Sequence, residues 1–187
     1  MTDDLRVLVV FGTDTGNTEL VAEKIRDALA LRTIDAGLVN VTDLSIEQLG
    51  DATLAIMGIP TWDFGGIQMD WEDFGDTLEA INLSGKVVAL YGLGDQFGYG
   101  DYFVDAMGWL AEKLDNTGAR LVGAWPTEGY DFVASRALNS TGSRFCGLAI
   151  DEDQQFTLTD ERVSRWVDQV LNEYRAFSTG RASGVTA

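Results

Sequence analysis

Thr13, Thr15, Asn17 and Thr18 crowd four hydroxyl or amide side chains, with Asp14 and Gly16, into one turn between a strand pattern and a helical pattern. Such a turn can hold an anion. The first N–H groups of a helix have no partner within it, and the helix dipole places about half a positive charge there. The triphosphate loop G-x-x-x-x-G-K-[ST] and the dinucleotide fingerprint G-x-G-x-x-G are both missing, and the turn contains no Lys or Arg. A terminal phosphate monoester held by hydrogen bonds alone fits this donor set. The plain alternative is an N-capped helix after a buried strand. Two further stretches carry large aromatics among glycines: Pro60-Thr61-Trp62-Asp63-Phe64-Gly65-Gly66 and Leu93-Gly94-Asp95-Gln96-Phe97-Gly98-Tyr99-Gly100. Rings on adjacent glycine-rich loops beside a phosphate-type turn suit a flat π-system stacked between Trp62 and Tyr99, where each stacked pair adds roughly 0.5–1.5 kcal/mol. Capping of the core is the alternative for either ring alone.

The elements that must position these residues follow from periodicity. Val7–Phe11, the stretch 53–59 and the stretch 86–91 are apolar throughout, as parallel strands covered on both faces should be. Strands are expected at about 5–11, 37–41, 53–59, 86–91 and 120–125, and helices at 17–31, 70–80, 103–117 and 159–176. Alternation of the two predicts an α/β fold, a doubly wound five-stranded parallel sheet. Right-handed crossovers would set the turns after the first, third and fourth strands along one carboxyl-end edge. After Trp125 a helix is due, but a polar run through Asn139-Ser140-Thr141-Gly142 intervenes before Phe145–Ile150. This predicts a loop inserted in the fifth strand, which resumes near 147–150. One domain over 1–177 is expected, with a small, polar tail at 178–187 that frays.

Composition excludes whole classes of chemistry. The 187 residues include 13 basic and 30 acidic ones, for a net charge of −17. That argues against nucleic acid and anionic membrane and favours steering toward basic protein surfaces. There is no histidine, which removes Ser/His and Cys/His nucleophiles and imidazole acid–base chemistry. The single cysteine, Cys146, excludes an internal disulfide or thiolate cluster, and its flanks Phe145, Gly147 and Leu148 mark a buried structural thiol. No apolar run suits a membrane span, and the acidic start Thr2-Asp3-Asp4 is no signal peptide, so a cytoplasmic monomer is expected.

Taken in order and spacing, these stretches resemble the flavodoxins of the long-chain type from about 5 to 175. The motifs are Thr13-x-Thr15-Gly16-Asn17-Thr18, Pro60-Thr61-Trp62, Gly92-Leu-Gly-Asp95-Gln96-Phe-Gly-Tyr99, Trp125-Pro-Thr-Glu-Gly-Tyr130, Leu148-Ala-Ile-Asp151-Glu-Asp and Leu158-Thr-Asp-Glu-Arg162. The resemblance implies a sheet of order 2-1-3-4-5 with FMN at its switch point. It implies that residues 13–18 hold the phosphate and that Trp62 and Tyr99 lie on the two ring faces. Leu93, Gly94 and Asp95 would contact the pyrimidine edge, while Thr61 and Asp151 would face the ribityl chain. The residues Asp63, Phe64 and Gly65 would form the loop whose peptide turns toward flavin N5 on reduction.

The implied function is low-potential one-electron transfer between semiquinone and hydroquinone, with no catalytic acid, base or nucleophile. Implied partners are a flavodoxin or ferredoxin reductase, an oxoacid oxidoreductase or nitrogenase reductase protein. Three positions depart from the family pattern: Asp63 where Asn is common, Gly66 where Glu is common, and Tyr102 where Asn is usual. The first bears on semiquinone stability and the last on one ribityl or ring hydrogen bond. Between Arg32 and Lys113 the only basic residue is Lys86. At an effective dielectric near 20, a carboxylate ~8 Å away disfavours an added electron by about 2 kcal/mol before screening. Each ~1.4 kcal/mol lowers a one-electron potential by roughly 59 mV. A flavin-dependent quinone or NAD(P)H oxidoreductase on the same fold is the rival reading. A receiver module is a second, but its acidic pair, phosphorylatable Asp and Lys are replaced by Gly12-Thr13, Pro60-Thr61 and Trp125-Pro126.

Overall fold

The computed structural model describes residues 5–183. Its central sheet is built from β1 (Val7–Phe11), β2 (Ala36–Asn40), β3 (Leu54–Trp62), β5 (Val87–Leu93), β6 (Arg120–Val122) and β9 (Leu148–Ile150). The order is β2-β1-β3-β5-β6, all parallel, with β9 also paired to β5. The expected 2-1-3-4-5 order is therefore observed. Helices α1 (Asn17–Ala30), α2 (Ile46–Asp51), α3 (Met69–Ala80), α4 (Asp105–Leu114) and α5 (Thr159–Ser183) alternate with the strands. Helix α5 runs past the expected end at 176, because Phe177 still packs on the core and the Thr179 hydroxyl donates back to the Arg175 carbonyl at 2.9 Å. The acidic start at 2–4 and the last part of the expected frayed tail, 184–187, lie outside the described residues.

Two short elements escape a periodicity reading. Helix α2 spans only Ile46–Asp51, yet it carries a full capping box: the Gln48 N–H donates to Ser45 Oγ and the Ser45 N–H to Gln48 Oε1. The S-x-x-Q signature is visible in the sequence and could have revealed it. Strand β4 (Gly66–Ile67) folds back antiparallel on β3, pairing Thr61 with Ile67 and Trp62 with Gly66. The expected loop at 60–66 is thus a hairpin with a three-residue turn, and Pro60 to Trp62 belong to β3. Proline is tolerated there because β1 ends opposite Gly58 and the β4 pairing begins only at Thr61, so Pro60 falls between the two registers.

Alternate residues of the strands feed two cores. Val7, Val9 and Phe11 face α1 and α5, with Trp166 fully buried among them. Leu8, Val10 and Met57 face α3 and α4, packing on Trp71, Leu110 and Phe145. Both faces are covered, which is why these strands read as apolar runs.

The fifth strand is split where expected. Strand β6 pairs Val87 to Ala89 and β9 pairs Tyr91 to Leu93, leaving Leu90 as the junction. Glycines stand on both sides of the break. Gly123 turns the chain out at φ 81°, and its carbonyl accepts from Trp166 Nε1 at 2.7 Å. Gly147 brings the chain back. Strands β7 (Trp125–Pro126) and β8 (Arg144–Phe145) close the neck of the insertion as an antiparallel pair. Phe103, Tyr130, Phe132 and Phe145 form an aromatic cluster beneath it, with centroids 5.2–5.8 Å apart. The Tyr130 hydroxyl donates to the Ala149 carbonyl at 2.6 Å. The insertion is therefore tied into the core at its base.

Cys146 lies against the second core, and burial pushes its thiol up to about 12. The thiolate is the nucleophile. Native protein at neutral pH is expected to resist alkylation and to react stoichiometrically once unfolded, as mass spectrometry would read. Rapid native modification would contradict this burial.

Candidate functional site

At the carboxyl edge of the sheet, a cleft of about 460 Å³ opens between the ends of β1, β3, β5 and β9. Its walls bring together Thr13, Asp14, Thr15, Asn17, Thr18, Pro60, Thr61, Trp62, Asp63, Leu93, Gly94, Asp95 and Tyr99, with Glu152 and Asp153. Four stretches far apart in sequence meet here because parallel strands all release their turns at one edge.

The anion end is built by the start of α1. Gly16 sits at the N-cap with φ 92°, a conformation glycine adopts without strain, and it supplies no side-chain cap. Its N–H donates to Thr13 Oγ1 at 2.9 Å, which folds the turn around the helix start. The first N–H groups of α1 are left without a side-chain cap beside Thr15, Asn17 and Thr18. Gln68, buried at the N-cap of α3, donates to Asp14 at 3.3 Å and to Asp70 at 2.6 Å, drawing Asp14 toward α3.

The ring end is built by the β3–β4 hairpin and the loop after β5. Trp62 and Tyr99 are 36% and 39% exposed, so both offer ring surface to the cleft. Trp62 makes no ring pair with any described aromatic. Phe64 meets Tyr99 and Tyr102 edge-on, at 6.0 and 5.8 Å. Gly65, at φ 83°, permits the hairpin turn, where an added Cβ would lie 3.1 Å from Asp105 Oδ2. Phe64, Gly65 and Tyr102 are not among the residues that line the cleft.

Asp151 also differs from expectation. Its buried carboxylate accepts from the Gln96 N–H (3.1 Å), Gln96 Nε2 (2.8 Å), the Asp153 N–H (3.1 Å) and the Gln154 N–H (2.9 Å). All its acceptor capacity serves the two loops, and it does not face the cleft. Its neighbours Glu152 and Asp153 do. Sequence reasoning passed over them, although both follow a strand at the same edge. Thr61 does line the cleft, and its hydroxyl accepts from the Ala106 N–H at 3.1 Å.

Among the described residues no basic side chain lines the cleft, whereas Asp14, Asp63, Asp95, Glu152 and Asp153 do. Partial burial, with Asp95 and Asp151 nearby, raises the Asp153 carboxyl above its ordinary value. Among the described residues no cluster of three His, Cys, Asp or Glu is arranged to hold a metal.

An anion cradle built without basic side chains, leading into a slot with two exposed rings at the switch edge of a doubly wound sheet, is the site of a nucleotide-cofactor protein. The Flavodoxin family model matches residues 9–166. Flavodoxin 2 of Escherichia coli K12 is 49% identical over 163 residues, covering 87% of this chain and 93% of its own. The flavodoxin of Klebsiella pneumoniae is 47% identical over 165 residues, covering 88% and 92%. In structure, the Fusobacterium nucleatum flavodoxin bound to flavin mononucleotide superimposes with a TM-score of 0.83 at 28% identity, over 90% of this chain and 98% of that one. The chain belongs to the flavodoxin family. Flavodoxins transfer electrons and are not enzymes, which removes the oxidoreductase and receiver readings.

Proposed function

We propose that this chain carries single electrons at low potential through FMN held in the carboxyl-edge cleft. One observation carries the reading. The uncapped start of α1, ringed by Thr13, Thr15, Asn17 and Thr18, opens into the same cleft as Trp62 and Tyr99. Those residues fit FMN. Neutral donors and helix N–H groups suit its terminal phosphate, the indole and phenol suit its two ring faces, and Leu93, Gly94 and Asp95 would meet its pyrimidine edge.

When bound, FMN supplies the electron-accepting chemistry. The protein's residues supply binding, orientation and field. Trp62 and Tyr99 would exclude water from the ring faces, and the surrounding carboxylates would disfavour added negative charge. The hairpin turn at Asp63 to Gly65 would offer backbone groups to the ring's edge. Stepwise anaerobic reduction of the purified protein tests this, with two resolved one-electron steps and bound yellow FMN as the expected result. A colourless protein that cannot be reconstituted with FMN would overturn it.

The finer assignment is a long-chain flavodoxin of the cytoplasm, working as a monomer within one domain. Its insertion between β6 and β9 supports the long-chain reading. Partners would be basic redox proteins: a flavodoxin or ferredoxin reductase, an oxoacid oxidoreductase, or nitrogenase reductase protein in a nitrogen-fixing cell. Exposed Glu72, Asp73, Asp76 and Glu79 fall on one side of α3 and would offer an acidic docking face, with Asp101 near the ring loop in sequence. Lys113 partly neutralises Asp76 and Glu79, at 3.6 and 2.8 Å. Small, weak electron-transfer encounters are steered by complementary charge. Electron transfer to a basic partner is therefore expected to slow several-fold between about 0.01 and 0.15 M ionic strength, as the screening length shrinks from ~30 to ~8 Å. Stopped-flow rates at graded salt read this, and a flat profile with every partner would defeat it.

A further inference from the structure

We propose that Asp63 is a positioning residue that holds the Tyr99 ring in place and ties the two aromatic walls of the cleft together. This rests on Trp62 and Tyr99 being the two faces of the cofactor slot.

The geometry is particular. Asp63 follows Trp62 directly, at the first turn position of the β3–β4 hairpin, with φ 41°. A non-glycine residue keeps this conformation most readily when its side chain is Asn or Asp. From there its carboxylate reaches across to the other loop, where the Tyr99 hydroxyl donates to Asp63 Oδ1 at 3.2 Å. The partners are 36 residues apart and come from the turns after β3 and β5. Among the described residues this is the one side-chain hydrogen bond joining those two turns. Phe64 completes the tie by meeting Tyr99 edge-on from the same hairpin.

A tyrosine that is 39% exposed on a glycine-rich loop has rotamer freedom to lose when a ligand stacks on it. A hydrogen bond at the far end of its ring removes part of that freedom beforehand, which is preorganisation. The charged groups facing Tyr99 are Asp63 and Asp95, and both hold its phenol above the ordinary tyrosine range. Asp105 on α4 approaches the same hairpin at Gly65.

The test is a double-mutant cycle of Asp63→Ala and Tyr99→Phe, read by FMN dissociation through flavin fluorescence. Each single change is expected to weaken binding about three- to tenfold, and the double change no further than the weaker single one. Backbone strain from alanine at Asp63 is present on both arms of the cycle and cancels. Asp63→Asn keeps an acceptor and tolerates the positive φ, so it should bind within about twofold of wild type.

The second readout needs no cofactor. Ultraviolet titration of the apoprotein, with Tyr99→Phe identifying the signal, should show the Tyr99 transition fall toward the ordinary value in Asp63→Ala. Multiplying single effects, an unmoved Tyr99 transition, or Asp63→Asn binding as poorly as Asp63→Ala would each overturn the proposal. Wild-type protein that takes up no FMN would instead overturn the cofactor reading, while the titration would still decide the Asp63–Tyr99 pair.

Discussion

Asp151→Ala is expected to destabilise the apoprotein by about 3 kcal/mol or more and to weaken FMN binding at least about tenfold. The carboxylate is 1% exposed and accepts four N–H bonds, two from Gln96 and one each from Asp153 and Gln154. Deleting it leaves several donors without partners at a site water scarcely reaches. Each buried unsatisfied group costs about 1–3 kcal/mol. The same bonds join the loop after β5 to the loop after β9. Asp95, Tyr99, Glu152 and Asp153 would therefore lose their mutual placement, although Asp151 itself is not among the residues that line the cleft. In a domain of this size, 3 kcal/mol corresponds to a Tm lowered by roughly 6–12 °C. Asp151→Asn separates charge from geometry. It keeps acceptors for half the donors and turns an N–H toward the rest, so a loss between wild type and alanine is expected. Thermal melts of the three apoproteins, with FMN titrations beside them, read both effects. An apo Tm unchanged in Asp151→Ala would refute the structural role.

Gly147→Ala is expected to cost about 3 kcal/mol through backbone, not side-chain, collision. A Cβ on Gly147 would stand 2.1 Å from the Leu90 carbonyl oxygen and 2.7 Å from its carbonyl carbon. Neither atom can rotate away, because Leu90 is a buried residue of the central strand β5. Overpacking of a close-packed interior ordinarily costs about 1–3 kcal/mol, and a clash with main chain belongs at the upper end. The strand can relieve it only by lifting β9 from β5, which would shift the loop carrying Glu152 and Asp153. Urea unfolding of the apoprotein measures the loss as a lower midpoint. Amide exchange at Leu148 to Ile150 should accelerate more than at β1. Equal stability, or exchange raised uniformly, would show that the junction relaxes elsewhere.

Much of the fold was legible because it is written in local patterns. The runs in β1, β3 and β5 are apolar on both faces, and α1, α3, α4 and α5 carry clear helical spacing. The residues of the cleft were legible for the same reason: Thr13 to Thr18, Pro60 to Asp63 and Leu93 to Tyr99 each lie at or just past the carboxyl end of an apolar strand. Short elements were less visible. Strand β4 has two residues, too few for any period, and it exists because β3 overruns β1 and offers an unpaired edge. Asp151 reads as a cleft residue by position. Two of its four bonds come from Gln96, 55 residues away in the β5 loop, and no local pattern encodes those.

The chain itself determined the strand and helix order, the anion turn without basic residues, the two aromatic loops and the absence of imidazole chemistry, since residue type and spacing carry that information directly. Tertiary structure alone decided which side chains face the cleft and which brace it. Asp151 braces two loops from outside the cleft, Glu152 and Asp153 line it, and Asp63 meets Tyr99. The reason is physical: orientation at the sheet edge depends on backbone turns and on hydrogen bonds between loops distant in sequence, and those partners are chosen only when the parallel strands come together.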